Sequence, residues 1–216
     1  MPRTLIIACG ALAPELVALT RRPGMEHLDV ACLPAHLHDR PARIPDAVRR
    51  RIRAGRATHD RVFVAYADCG TGGLLDAVLR EEGVERLPGA HCYQVFAGQA
   101  AFDRLMAQEP ATFFLTDFLA GHFDRLVVRG LGLDRHPDLL PVYFHAYRRV
   151  VYLAQTEDPA LLAAARAAAA RLGLRFEVRR TGYGDLAAAI EALAVVADVS
   201  ALRAALPDAA GTAVAA

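Results

Sequence analysis

The sequence contains no lysine and no tryptophan, and only four cysteines. All 25 cationic residues are arginine, which excludes Schiff-base chemistry, pyridoxal phosphate attachment and a phosphate-loop lysine. Charge of one sign is lacking too: 25 cations against 24 acids leave a formal +1, which argues against binding nucleic acid by net electrostatics. No apolar run approaches the roughly 18 residues of a membrane span, and Leu5–Ala8 is too short for a signal peptide. These absences predict a cytoplasmic protein with neither nucleic acid nor membrane as partner. In a reducing compartment, four cysteines read as free thiols or metal ligands rather than disulfides.

What is present is a globular composition, 54% hydrophobic over 216 residues, enough for a sizeable core. Short β-branched runs alternate with longer helical patterns. Strands are predicted at Thr4–Ala8, Leu28–Cys32, Arg61–Tyr66, near Gly89–Tyr93, and at Thr112–Leu115, Val150–Gln155 and Leu174–Val178. Helices are predicted at Ala13–Thr20, Ile44–Arg56, Leu74–Glu82, Ala97–Gln108 and Asp117 to about Val128, then from Thr156 to Arg171 and from Asp185 to about Val196. This alternation gives an α/β fold with a mostly parallel open sheet flanked by helices. Residues 1–200 are expected to form a single α/β domain, with 150–200 as the candidate second lobe and 207–216 as a frayed tail.

In such sheets, ligands sit beyond the carboxyl ends of the strands. The rare residues fall there. Cys9 follows the first strand, Cys32 ends the second, Asp68 and Cys69 follow the third, and His91 and Cys92 lie at the fourth extended piece. Cys9, Cys69, Cys92 and His91 could supply soft ligands to zinc or an iron–sulfur centre, although no C-x-x-C is present. Asp68 would act as general base or orient an imidazole. The turn Gly70-Thr71-Gly72-Gly73 between strand and helix could offer backbone N–H groups to an acidic substrate or cofactor, but its spacing misses the dinucleotide fingerprint. Tyr93, Thr116 and Asp117 complete the expected substrate-binding set.

A second polar cluster comprises Cys32, His36 and His38, the two histidines forming an H-x-H that could chelate a metal if the segment is extended. Tyr66, Tyr93 and Tyr183 read as amphipathic wall residues. Arg43, Arg49, Arg50, Arg51, Arg53 and Arg56 crowd the second helix and could dock an acidic partner.

Several segments together carry a resemblance: Ala8-Cys9-Gly10-Ala11-Leu12, Cys32-Leu33-Pro34-Ala35, Tyr66-Ala67-Asp68-Cys69-Gly70-Thr71-Gly72-Gly73, His91-Cys92-Tyr93, Leu115-Thr116-Asp117-Phe118 and Thr181-Gly182-Tyr183-Gly184-Asp185. From Leu5 to about Leu193 the chain resembles the bacterial and archaeal domain-of-unknown-function family 1638. The resemblance transfers no catalytic residue. It implies a setting beside corrinoid-dependent methyltransferases and other one-carbon genes. Asp68–Gly73 is also similar to the D-S-G-x-G-G turn of cofactor-free amino-acid racemases, which use two facing cysteines.

Three functions follow as expectations. The first is a Cys/His metal site serving an enzyme or cofactor-handling protein of one-carbon metabolism, with a small acidic substrate and a corrinoid contact. The second is cofactor-free two-cysteine catalysis on a small carboxylate. The third is a non-catalytic accessory partner of a corrinoid methyltransferase.

Overall fold

A computed structural model describes residues 2–195; the expected frayed tail, 207–216, lies outside them. The architecture is α/β, with every strand pairing parallel. The strands form two sheets rather than one, and the chain divides into two compact units. One unit holds the chain through Val95 and the segment from Gly184; the other is Phe96–Tyr183.

In the first unit, β1 (Thr4–Cys9) is central. It pairs with β2 (Leu28–Leu33) on one side and β3 (Arg61–Ala65) on the other, and β3 pairs with the two-residue β4 (Glu85–Arg86). All six residues of β1 are buried, as are Val62–Ala65. A continuous apolar run of this kind is what a strand covered on both faces requires. Thr4 pairs with both Leu28 and Arg61, and Ala8 with both Cys32 and Ala65, so the three strands finish together. The strand order β2-β1-β3-β4 reverses direction between β1 and β3, the place where sheets of this kind form a crevice between the departing loops.

Helix α1 (Ala13–Thr20) packs on β2 and on α9 (Gly184–Val195), while α2 (Ile44–Gly55) packs on β1, β3 and α3 (Leu74–Glu82). Helix α2 turns Ile44, Val48 and Ile52 inward. Its arginine run does not stand free. The buried Glu82 carboxylate accepts from Arg53 at 2.8 Å and Arg56 at 3.0 Å, with Arg49 at 3.7 Å, and Arg49 also meets Glu81 at 2.6 Å. Three of the six arginines expected on a docking face therefore join α2 to α3. The reason is a buried acid that needs cationic neighbours.

The extended piece expected near Gly89–Tyr93 is instead loop followed by α4 (Cys92–Ala97); the fourth strand lies earlier, at Glu85–Arg86. Gly98, at φ +74°, separates α4 from α5 (Gln99–Gln108).

In the second unit the order is β5 (Thr112–Leu115), β6 (Arg149–Ala154), β7 (Arg175–Arg180). The single helix expected from Asp117 to Val128 is broken into α6 (Asp117–Gly121) and a π-helix at Asp124–Arg129. Helix α7 (Leu140–Phe144) and α8 (Pro159–Leu172) follow; Asp158 caps α8 by accepting from Ala160 N at 2.7 Å, and Gly173 closes it in the left-handed conformation. The core gathers Leu115, Phe123, Val127, Phe144, Val150, Tyr152 and the inward alanines of α8.

At the amino ends of these strands, Arg149 is almost wholly buried. It donates to Thr112 Oγ1 at 2.8 Å, to the Leu105 carbonyl at 2.7 Å and to both oxygens of Glu177 at 3.1 Å. One side chain thus ties all three strands to the end of α5. Arg149→Met is expected to cost about 3–5 kcal/mol, because it leaves these acceptors without their donor. A urea unfolding midpoint within error of wild type would contradict this.

Candidate functional site

Beyond β3 the chain makes the turn that carries Asp68 and Cys69. Its shape is set by one carboxylate. Asp68 accepts from the Thr71 hydroxyl at 2.6 Å, from Gly73 N at 2.9 Å and from Gly72 N at 3.1 Å. Burial pushes this carboxyl up, but the Thr71, Gly73 and Gly72 donors, with Arg86 nearby, outweigh it and hold the group below its ordinary range. Thr71 N donates to the Asp68 carbonyl and Leu74 N to the Thr71 carbonyl. The amides of Thr71, Gly72 and Gly73, expected to cradle an external anion, are thus already occupied; an anion would have to displace Asp68. A carboxylate so engaged is an orienting group and a weak base.

A second loop is stitched to the first. Asp68 N donates to the Gly89 carbonyl at 3.0 Å and Cys69 N to that of Ala90 at 2.8 Å, which continues the β3–β4 pairing past the strands. Arg86 fixes this second loop, donating to the Leu87 and Gly89 carbonyls and bidentately to Asp76. Gln94 Oε1 accepts from Ala90 N at 2.7 Å. The stitching brings Cys92, at the start of α4, beside Cys69, at the end of β3.

Cys9 joins them from the end of β1, where its sulfur accepts from Ala11 N at 3.3 Å. The three thiols act on one another electrostatically. Burial pushes Cys9 up to about 11, against the lowering effect of the Ala11 amide. Burial and then Cys9 push Cys69 up to about 12, while the Ala67 amide favours its thiolate. Cys92 is raised as well, by burial first and then by Cys69 and Cys9, against its own amide and that of Tyr93. Cys69 holds φ +53°, the one non-glycine residue in the left-handed region among the described residues. Among those residues, no group of three or more His, Cys, Asp or Glu side chains is placed to hold a metal ion.

The other expected residues divide. His91 is exposed, with its ring 5.8 Å from the half-buried Tyr93. His36 and His38 lie in a 3-10 helix, Ala35–Asp39, so the extended geometry that would aim an H-x-H pair one way is missing. His38 instead turns to the first cluster: its Nδ1 is 3.8 Å from Cys9 Sγ and 3.0 Å from the Ala35 carbonyl, and its ring stacks on Tyr66. Cys32 is exposed at the end of β2, opposite Ala8, and acts electrostatically on Cys9 and Tyr66. Gly70 is exposed at φ +80°. Tyr66, read from sequence as wall, is 1% exposed and belongs with the thiols.

Thr116 and Asp117 belong to the second unit and serve its fold. Thr116 caps α6, accepting from Leu119 N at 3.3 Å. Buried Asp117 accepts from Tyr152 Oη at 2.6 Å, Gln155 N at 3.0 Å, Thr156 N at 2.9 Å and Thr156 Oγ1 at 2.6 Å, and its own N–H donates to Gln155 Oε1. This carboxylate closes the β6 loop onto the β5 end, with its acceptor capacity used up.

The parallel sheets flanked by helices define an α/β protein, with three of its cysteines at or just after strand ends beside the direction reversal of the first sheet. The profile of the family described as "Protein of unknown function (DUF1638)" matches residues 32–190, and the chain belongs to that family. The matched stretch begins at Cys32 and includes Cys69 and Cys92, whereas Cys9 precedes it. Comparison with the curated proteins and with the solved structures gave no match.

Asp117→Ala is expected to destabilise the protein by at least about 3 kcal/mol, since it strands buried donors at Tyr152, Gln155 and Thr156. Chemical denaturation checks this; a loss under about 1 kcal/mol would return Asp117 to the role of a spare ligand-binding group.

Proposed function

We propose that the first unit's crevice binds a soft metal ion through Cys9, Cys69 and Cys92, with His91 as a fourth ligand or an orienting neighbour. One observation carries the reading: three thiols from three separate loops lie near enough, at the sheet's direction reversal, to act on one another electrostatically, each beside a backbone amide that favours its thiolate. N–H donors at sulfur are a standard means of tuning metal thiolates. Burial disfavours the bare thiolates, and a cation is what would offset that cost.

The donor chemistry fits zinc, whereas the placement does not close three ligands on one point. Binding would therefore have to draw the three loops together, which asks less for a single ion than for an iron–sulfur cluster with three or four sulfurs around it. When bound, such an ion supplies Lewis-acid chemistry and activation of a bound water. The chain's own part is orientation: Asp68 shapes the turn that presents Cys69, and Arg86 holds the loop that presents Cys92. The family resemblance implies only a setting, beside corrinoid methyltransferase proteins of one-carbon metabolism, in which the chain would serve as an enzyme or cofactor-handling protein.

Two-cysteine catalysis without a metal is less well supported, because it needs a ready thiolate and burial raises every thiol in the crevice. Accessory docking through α2 loses three arginines to Glu81 and Glu82.

Elemental analysis of protein purified without oxygen tests the proposal. Zinc or iron near one ion per chain is expected, and Cys69→Ser and Cys92→Ser are expected to lose most of it while keeping the wild-type circular dichroism spectrum. Protein without metal, and unaltered by either substitution after incubation with zinc, would overturn it.

A further inference from the structure

We propose that the crevice takes a small carboxylate as its ligand, and that the Tyr66 hydroxyl is the donor that receives one of its oxygens. The inference rests on the crevice being the binding site. Tyr66 follows β3 directly and is 1% exposed, yet its hydroxyl oxygen has no hydrogen-bond partner among the described residues. That oxygen stands among sulfurs. Its charged form is opposed by burial and then by Cys9, Cys69 and Cys32, and it lies close enough to Cys9 to favour a thiolate there as a donor. The ring is fixed on its other side by His38, with centroids 6.2 Å apart and planes 11° from parallel. A buried hydroxyl left unmade costs more than a made one gains, so its retention asks for a partner that arrives with a ligand.

The neighbouring acceptors show which kind of ligand fits. Both Asp68 oxygens accept within their turn, the Gly89 and Ala90 carbonyls accept from Asp68 N and Cys69 N, and Gln94 Oε1 accepts from Ala90 N. Among these described groups, the Tyr66 hydroxyl is the buried donor without an acceptor. A buried donor without an acceptor suits a ligand that accepts, and a carboxylate is a small organic group that does so strongly.

Tyr66→Phe in the full chain tests this by two readouts. Without added acid, removal of an unpartnered buried hydroxyl is expected to raise the thermal midpoint, by about 2–4 °C for each kcal/mol gained in a chain of this size. In ligand-observed NMR with acetate and formate, wild type is expected to bind both, and Tyr66→Phe to bind them about tenfold more weakly, the equivalent of one charge-assisted hydrogen bond. Acetamide, of the same shape and uncharged, is expected to bind wild type more weakly than acetate. A lowered thermal midpoint in Tyr66→Phe would reveal an internal partner for the hydroxyl and overturn the inference. So would equal acid binding by both proteins, or none by wild type. Metal content measured on the same samples separates the two proposals: acid binding lost in Tyr66→Phe from a wild type that holds no metal would leave the carboxylate inference standing and sink the metal site. Metal retained in both with equal acid binding would do the reverse.

Discussion

Asp68 spends its two carboxylate oxygens within its own loop, on the Thr71 hydroxyl and the amides of Gly72 and Gly73. The rest of the crevice is arranged around that commitment. With the turn folded, Asp68 N and Cys69 N point to the Gly89 and Ala90 carbonyls, and two loops that leave adjacent strands become one backbone ladder. The ladder sets the separation of Cys69 from Cys92. The central position of β1 then delivers Cys9 to the same place, because its neighbours β2 and β3 are paired in step with it. An acidic side chain between strand and helix acts here as an internal anion, filling the site that glycine-rich turns elsewhere offer to phosphate.

The second unit uses the same device for a different end. Asp117, two residues past β5, gathers the β6 loop through Gln155 and Thr156 and takes the Tyr152 hydroxyl as well. No buried polar side-chain atom around it lacks a partner among the described residues, whereas in the first unit the Tyr66 hydroxyl does. Similar residues at similar strand ends thus diverge: one set closes a fold, the other leaves a polar group unspent. Position at a strand end marks a candidate, and the completeness of its hydrogen bonding tells support from binding.

The strands were legible because TLIIAC, RVFVA and RVVYLA are continuous apolar runs, which parallel sheets bury on both faces. β4 was misplaced because it is two polar residues, Glu85 and Arg86, with no run to read. The turn to a π-helix after Gly121 carries no periodic signal that separates it from an α-helix over so few residues. Of the candidate site, the cysteines were found by their place after strands. Two partners were out of reach. His38 reaches Cys9 because the 35–39 segment winds into a 3-10 helix, and the isolation of the Tyr66 hydroxyl depends on which neighbours have already spent their acceptors. The arginines of α2 read as a free charged face until the chain supplied Glu82 from α3.

Cys69 occupies a backbone conformation that glycine takes freely and that an L-residue enters at a cost of about 1–2 kcal/mol. Glycine would therefore suit the turn better as a turn, and glycines already stand at 70, 72 and 73. The sulfur is thus held against a standing conformational bias, so that the turn would relax by the same amount if Cys69 became glycine and the thiol were given up.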